Sequence, residues 1–217
     1  MDLQERLTAF AMLGATWVMW LLVALSVVGL AIVLERIYQL ATSRDNIESL
    51  RSELLRCLAN GDLDEAKARL QRSRSFEARV VHAGMTEVTR GTAAVEERMA
   101  GETMLCRLDM EKNLAFLGTV GNNAPFVGLL GTVIGVIRAF HQLDSSGGKV
   151  TSGLMNEVGE ALVATAIGIL VALPSVAFFN LFQRLIKGRL GRAAALGHDL
   201  LSYLKGRAPA GGAMAKE

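Results

Sequence analysis

The chain has 217 residues, of which 51% are hydrophobic, and the apolar residues are concentrated in three long blocks. Its 23 basic and 21 acidic residues leave a net charge of +2, which gives no reason to expect binding to nucleic acid. This distribution predicts an all-α polytopic membrane protein with three transmembrane helices and long cytoplasmic helical extensions.

The first apolar block runs from Leu7 to Leu34 without a charge and is long enough to cross a bilayer. Because it lies near the N-terminus, a cleaved signal peptide is the alternative. The length of the block and the acids Asp2 and Glu5 before it favour a retained span. We therefore predict that residues 1–34 hold an outer N-terminus and the first transmembrane helix.

Residues 35–112 are polar and are predicted to form a cytoplasmic helical region. Apolar residues recur at helical spacing from Asp45 to Leu58, before a stop at Asn60-Gly61, and further helices are predicted from Asp62 and from Phe76 to Arg90. From Thr92 the sequence contains few helix breakers. This pattern predicts one continuous helix that runs into the second span.

The second apolar block, residues 113–140, combines membrane-spanning length with polar and small residues. It is uncharged from Asn113 to Ile137, yet it contains three asparagines, a proline and five glycines. Such a helix is expected to contact other helices more than lipid. The glycines predicted to form its packing face are Gly128, Gly131 and Gly135, and Pro125 is expected to free a backbone carbonyl.

The third block follows a short predicted periplasmic loop, residues 141–157, and is predicted to span the membrane over residues 158–183. Pro174 is expected to bend this helix or leave a hydrated position. Residues 184–217 are predicted to be a cytoplasmic helix and tail, because Arg184, Lys187, Arg189 and Arg192 follow the span directly. Three crossings then place the N-terminus in the periplasm.

Three polar residues in the second and third spans are candidates for an ion pathway. Thr132 lies eight residues before Phe140, and Thr165 lies seven residues after Val158. At 1.5 Å per residue, both lie about 10–12 Å below the outer boundary of antiparallel helices. The alternative is that each hydroxyl bonds its own backbone. A carboxylate toward the membrane interior, such as Glu160, needs water, a cation or a partner. The alternative is that Glu160 lies at the membrane surface and is exposed to water.

No sequence pattern predicts a catalytic residue, a cofactor or a metal site. Enzyme signatures are missing from the sequence, and its three histidines are far apart. Cys57 and Cys106 lack the spacing of metal ligands and are predicted to be reduced packing residues. The chain is therefore not expected to be an enzyme.

Two segments, NNAPFVGLLGTVIGVIRAF and GEALVATAIGILVALPSVAFFN, resemble the ExbB/TolQ family, which is related to the flagellar stator subunit MotA. The resemblance covers about half of the chain and implies a homo-pentamer around a pore that encloses two copies of a single-span ExbD/TolR-like partner. A TonB/TolA-like transducer is a further candidate partner. The family's pore threonines fall on Thr132 and Thr165, its important glutamate on Glu160, and its third-span proline on Pro174.

The resemblance implies a stator-type subunit of an ion-driven motor in the bacterial inner membrane. In such a motor the partner's acidic side chain takes up an ion from outside and loses its charge. The sequence leaves open whether the ion is a proton or sodium, and which envelope process is driven. The alternatives are a non-conducting membrane scaffold and a stand-alone ion channel. The N-terminus resembles that of the shorter family members.

Overall fold

A computed structural model describes residues 14–43 and 45–207, which are almost entirely helical. No strand occurs within these two ranges, which confirms the predicted all-α fold. A short 3₁₀ turn, Val88–Arg90, follows the fourth helix. The helices in chain order are α1 (Thr16–Thr42), α2 (Ile47–Asn60), α3 (Leu63–Arg72), α4 (Phe76–Met85), α5 (Thr92–Glu111), α6 (Leu114–Ser145) and α7 (Ser152–Arg207).

Three of these helices, α1, α6 and α7, contain stretches long and apolar enough to cross a membrane, as the sequence predicts. The start of the predicted first span, residues 7–13, lies outside the described residues. Helices α6 and α7 extend into the predicted loop, so the connection between them is only residues 146–151. The membrane boundaries assigned to residues 140 and 158 remain predictions.

The chain divides into two compact units, and the first comprises the described residues 14–35 and 113–181. It contains most of α1, all of α6 and the first part of α7. Small and β-branched side chains dominate its core, which allows close helix packing. The buried residues of its main apolar cluster are Ala15, Val18, Leu22, Val120, Ala124, Ile134, Val171 and Ala172.

The second unit comprises residues 36–112 and the described residues 182–207. Its short helices begin at side chains that accept hydrogen bonds from free backbone N–H groups: Asn46 for α2, Asp62 for α3 and Ser75 for α4. Gly61, at φ 77°, ends α2 in a left-handed conformation. These ends confirm the predicted stop at Asn60-Gly61 and the helix predicted from Asp62.

The helix predicted from Phe76 to Arg90 is too long, because α4 ends at Met85 and a 3₁₀ turn follows. The Thr86 hydroxyl donates to Ala83 O at 2.7 Å. This bond satisfies one of the last carbonyls of α4, which have no partner within the helix.

The prediction of one continuous helix from Thr92 into the second span is wrong. Helix α5 ends at Glu111, Lys112 is extended, and Asn113 has a left-handed backbone at φ 63°. Asparagine tolerates this conformation better than most residues. The Asn113 side chain also donates to Glu35 Oε2 at 3.2 Å. A sequence with few breakers can therefore still hold a helix break where an asparagine stands.

Two buried arginines bind the C-terminal carbonyls of helices in the second unit. Arg36, 2% exposed, donates to Asp109 O at 3.0 Å near the end of α5. Arg189, 6% exposed, donates to Leu40 O at 2.6 Å and to Ser43 O at 3.2 Å, at the end of α1. Each cation satisfies free carbonyls and lies at the negative end of a helix dipole.

Both cysteines are buried in this unit, as a packing role requires. Burial raises the pKa of the Cys106 thiol to about 11, so the thiol stays protonated at neutral pH. A protonated, buried thiol behaves as a small apolar side chain.

We predict that Arg189→Met lowers the free energy of unfolding by about 2–4 kcal/mol, because buried carbonyls at the end of α1 lose their donor. Thermal unfolding of the detergent-solubilised protein measures this change. Arg184→Met is the matched control, since Arg184 is exposed and its loss should change stability by less than about 0.5 kcal/mol. Equal unfolding temperatures for the two variants would contradict the capping role.

Candidate functional site

Helices α6 and α7 pack against each other as an antiparallel pair in the first unit. Their register is visible at glycines, where an added Cβ would touch the opposite helix. Residue numbers rise along α6 as they fall along α7, as antiparallel packing requires. The opposed pairs are Gly121 with Val176, Gly131 with Ala164, Gly135 with Ala161, and Gly153 with Gln142.

The two backbones approach so closely that side chains larger than hydrogen do not fit at several positions. A Cβ on Gly128 would lie 2.9 Å from Ala164 O and 3.0 Å from Thr165 Cα, and a Cβ on Gly168 would lie 2.7 Å from Ala124 O. Backbone atoms cannot move aside as a flexible side chain can. We call this line of contact between α6 and α7, at Gly128 and Gly168, the glycine seam. Close contact along it gives the dispersion energy that helices in lipid need for association.

The other two glycines predicted for this face, Gly131 and Gly135, lie on the same seam. A Cβ on Gly131 would lie 2.6 Å from Ala164 Cβ. A Cβ on Gly135 would collide with Ala161 Cβ and lie 3.1 Å from Glu157 O. Small residues therefore face small residues along about two turns of α6.

The hydroxyls of the two candidate threonines bond to adjacent carbonyls on one turn of α6. Thr165 Oγ1 on α7 donates to Gly128 O at 3.0 Å, and Thr132 Oγ1 donates to Leu129 O at 2.7 Å. The acceptors belong to consecutive residues, so both hydroxyls lie at the same level of the helix pair. Thr132 bonds a carbonyl of its own helix, as the alternative to an ion pathway expects. Thr165 instead bonds a carbonyl of the opposite helix.

Glu160 lies one to two turns from Thr165 on α7 and contacts the beginning of α1. Its Oε1 accepts a hydrogen bond from Thr16 Oγ1 at 2.6 Å. Both residues are at least partly accessible. The sequence did not indicate this contact, because 144 residues separate its two members.

An ion pair between Arg138 and Glu157 joins α6 and α7 near their connection. Arg138 Nη2 lies 2.8 Å from Glu157 Oε1, and both side chains are largely buried. Sequence reasoning missed this pair, although a signal existed. Arg138 ends the uncharged stretch of α6, and Glu157 is the first acid of α7. Counting outward from the connection therefore places the two at similar depth.

The two prolines lie inside helices that continue past them. Pro125 is within α6 and Pro174 within α7, where it cannot donate to Leu170 O. The next residue, Ser175, donates from its buried hydroxyl to Val171 O at 2.7 Å. The bend or hydrated position expected at these prolines remains a prediction.

Large apolar side chains cover the outside of the first unit. Trp20 on α1, Phe126 on α6 and Leu170 on α7 are 69–70% exposed. Such a surface must be covered by lipid tails or by other protein chains.

The described spans have no ionisable group in residues 16–34, 114–137 and 161–183.

We predict that Gly128→Ala destabilises the α6–α7 pair by about 1–3 kcal/mol, because its methyl group would collide with the backbone of α7. Thermal unfolding of the purified protein measures the effect. Gly191→Ala is the control: nothing lies within 4 Å of a Cβ there, and alanine is the better helix former by about 1 kcal/mol. Unchanged stability of Gly128→Ala would show that the seam is looser than described.

Comparison with known proteins places the chain in a family. The profile of the MotA/TolQ/ExbB proton channel family matches residues 72–194, more than half of the chain. The chain is 38% identical over 94 residues to the biopolymer transport protein ExbB of Xanthomonas campestris pv. campestris strain B100, covering 43% of this chain and 37% of that protein.

Two further relatives give the same result. The ExbB of Pseudomonas putida is 31% identical over 150 residues, covering 64% of this chain and 45% of the relative. The putative biopolymer transport protein ExbB-like 2 of Helicobacter pylori strain ATCC 700392 / 26695 is 43% identical over 77 residues, covering 36% and 51%. The matches thus span about a third to a half of these relatives. The chain belongs to the MotA/TolQ/ExbB proton channel family.

Proposed function

We propose that the chain is a pore-forming, stator-type subunit of a proton-driven motor in the bacterial inner membrane. Its role is to transmit energy to an envelope or outer-membrane process. The observation that carries this proposal is that two threonine hydroxyls bond to consecutive carbonyls of α6. Membership of a proton channel family supports the choice of ion.

The hydrogen bonds of Thr132 and Thr165 favour a role in ion passage. Each hydroxyl already donates its proton to a backbone carbonyl, which leaves the lone pairs of its oxygen as acceptors. Such oxygens can accept a hydrogen bond from a protonated carboxylic acid or from water. They offer nothing to a bare carboxylate, so they favour the neutral, proton-loaded form of a passing acid.

The acid that carries the proton belongs to another chain in this proposal. The described spans have no ionisable group in residues 16–34, 114–137 and 161–183, so this chain supplies no carboxylate deep in those parts of the membrane. A single-span ExbD/TolR-like protein, present as two copies inside a pentamer of this chain, would supply it. A TonB/TolA-like protein would then receive the mechanical output.

The exposed apolar surface is consistent with such an assembly. A single subunit leaves Trp20, Phe126 and Leu170 uncovered, and the predicted assembly offers lipid, neighbouring subunits and the partner's helix as cover.

One proton crossing 100 mV releases about 2.3 kcal/mol, so several protons must pass for each mechanical step.

The proposed topology follows from the charge distribution. The N-terminus is periplasmic, residues 35–112 and 184–217 are cytoplasmic, and residues 141–157 are periplasmic. Arg184 and Lys187 carry this orientation, since both are exposed next to the third span.

Reporter fusions test this topology. Green fluorescent protein fused after Glu217 should fluoresce, and alkaline phosphatase inserted at Gly147 should be active. Alkaline phosphatase after Glu217 should be inactive, because it requires the periplasm. An active alkaline phosphatase fused after Glu217 would show that the C-terminus is periplasmic and that the orientation is the reverse of the one proposed.

We predict that Thr132→Val together with Thr165→Val lowers proton flux by roughly 10- to 30-fold, because two acceptor oxygens worth ~1 kcal/mol each are lost. Flux is measured in liposomes that contain this chain and its single-span partner. The matched control is Thr132→Ser with Thr165→Ser, which keeps both hydroxyls and should stay near wild type. Size-exclusion chromatography should show unchanged assembly for all variants.

The result also separates the alternatives. Full flux in the double valine variant would refute the assignment of these threonines to the ion path. A protein that assembles with its partner but shows no flux under any gradient would be a scaffold. Current through this chain without any partner would instead identify a stand-alone channel.

A further inference from the structure

Two carboxylates lie one turn apart on α7, and the described residues of the first unit pair only one of them with a basic side chain. Glu157 forms an ion pair with Arg138 at 2.8 Å. Glu160 has no basic side chain within ion-pairing distance among the described residues. Its hydrogen-bond donor there is a neutral hydroxyl, that of Thr16, at 2.6 Å. Among residues 14–43 and 45–207, the negative charge of Glu160 therefore has no counterion.

Thr16 is the first residue of α1, so its contact places the Glu160 carboxylate at the beginning of that helix. The first hydrogen bonds of this end run from Val18 and Met19 back to Ala15 O. The N–H groups at the start of a helix carry the positive end of its dipole, which stabilises a nearby anion without cancelling its charge.

The neighbouring cation is held away from Glu160. Arg138 is occupied by Glu157, and its guanidinium lies directly over Gly14, where a Cβ would collide with Nη1. Gly14 has a left-handed backbone at φ 88°, which favours glycine independently. The space that this glycine leaves open allows Arg138 to pair with Glu157.

We propose that Thr16 is a positioning residue for Glu160 at the outer entrance of the ion path. The inference rests on the proposed function. The Thr16 hydroxyl holds Oε1 and thereby fixes the orientation of the carboxylate. Oε2 remains without a partner in the described part of the chain and can face incoming ions. The negative charge of this carboxylate attracts cations to a point five residues, about 7.5 Å along the helix, before Thr165.

Arginine in place of a hydroxyl would defeat this role, because an ion pair cancels the charge that attracts the cation. Glu157, which has such a pair, serves to join α6 and α7. The two acids of this turn thus have different roles because their partners differ.

The test compares Thr16→Val with Thr16→Ser in liposomes that contain this chain and its single-span partner. Proton flux is measured over a range of outside proton concentrations. Thr16→Val should raise the concentration for half-maximal flux about three- to tenfold, the effect of one hydrogen bond, and change maximal flux less than twofold. Thr16→Ser should match wild type. Ser145→Ala, which removes a hydroxyl bonded only to its own helix, should change neither quantity.

A double-mutant cycle shows whether Thr16 acts through Glu160. In the Glu160→Gln background, adding Thr16→Val should have no further effect on flux. Additive losses would mean a general structural role and would overturn the proposal. Wild-type flux in Thr16→Val, with flux lost in Glu160→Gln, would overturn it too, but would leave the proposed function intact. Full flux in both Glu160→Gln and the double valine variant of Thr132 and Thr165 would refute the proposed function itself.

An infrared measurement keeps the proposal testable if Thr16→Val assembles poorly. The carboxylate band of Glu160 is isolated as the difference between the wild-type spectrum and that of Glu160→Gln. In Thr16→Ala this band should shift, and in Thr16→Ser it should return to the wild-type position. An unchanged band in Thr16→Ala would show that the hydroxyl does not hold the carboxylate.

Discussion

The close approach of α6 and α7 is the constraint on which the candidate site depends. Thr165 reaches a carbonyl of the opposite helix only because Gly128 and Gly168 carry no side chains between the two backbones. The same close packing places the carbonyl that Thr165 bonds next along the chain to the carbonyl that Thr132 bonds. If α6 and α7 were further apart, Thr165 could not reach the Gly128 carbonyl, and the two hydroxyls would no longer bond to adjacent carbonyls.

Two kinds of interaction hold the two units, and they suit different surroundings. The first unit relies on small residues, close backbone contact and the Arg138–Glu157 ion pair. Small residues and close contact are expected where lipid provides no hydrophobic driving force. The second unit has short helices with side-chain caps and two buried arginines that bind helix ends. The packing of the first unit is therefore typical of helices in lipid, and that of the second unit is typical of helices in water.

Local signals predicted much of this architecture. Long apolar blocks indicated three spans, helical spacing and capping residues located the short helices, and the spacing of Gly128, Gly131 and Gly135 indicated a packing face. The break at Asn113 was missed because the left-handed conformation of an asparagine is a local choice that periodicity does not report. Matched depth in antiparallel helices predicted a similar level for Thr132 and Thr165, and their hydroxyls bond to consecutive carbonyls of α6.

Contacts between residues distant in sequence could not be predicted in the same way. The bond from Thr16 to Glu160 and the bonds from Arg189 to the end of α1 join residues more than 140 positions apart. Arg189 indicated a positive cytoplasmic tail in the sequence, yet its side chain is buried against carbonyls. Composition reports where charges occur along the chain, and only tertiary structure shows which of them are free.

The proposed ion path requires the hydroxyls of Thr132 and Thr165 to face an interior space that receives a helix of another chain. Electron cryo-microscopy of the purified complex with its single-span partner tests this directly. We expect Thr132 and Thr165 to line an axial lumen, with their oxygens within hydrogen-bonding distance of an acidic side chain or of ordered water beside it. Threonine side chains directed into acyl chains, or subunits packed without a lumen, would contradict the account.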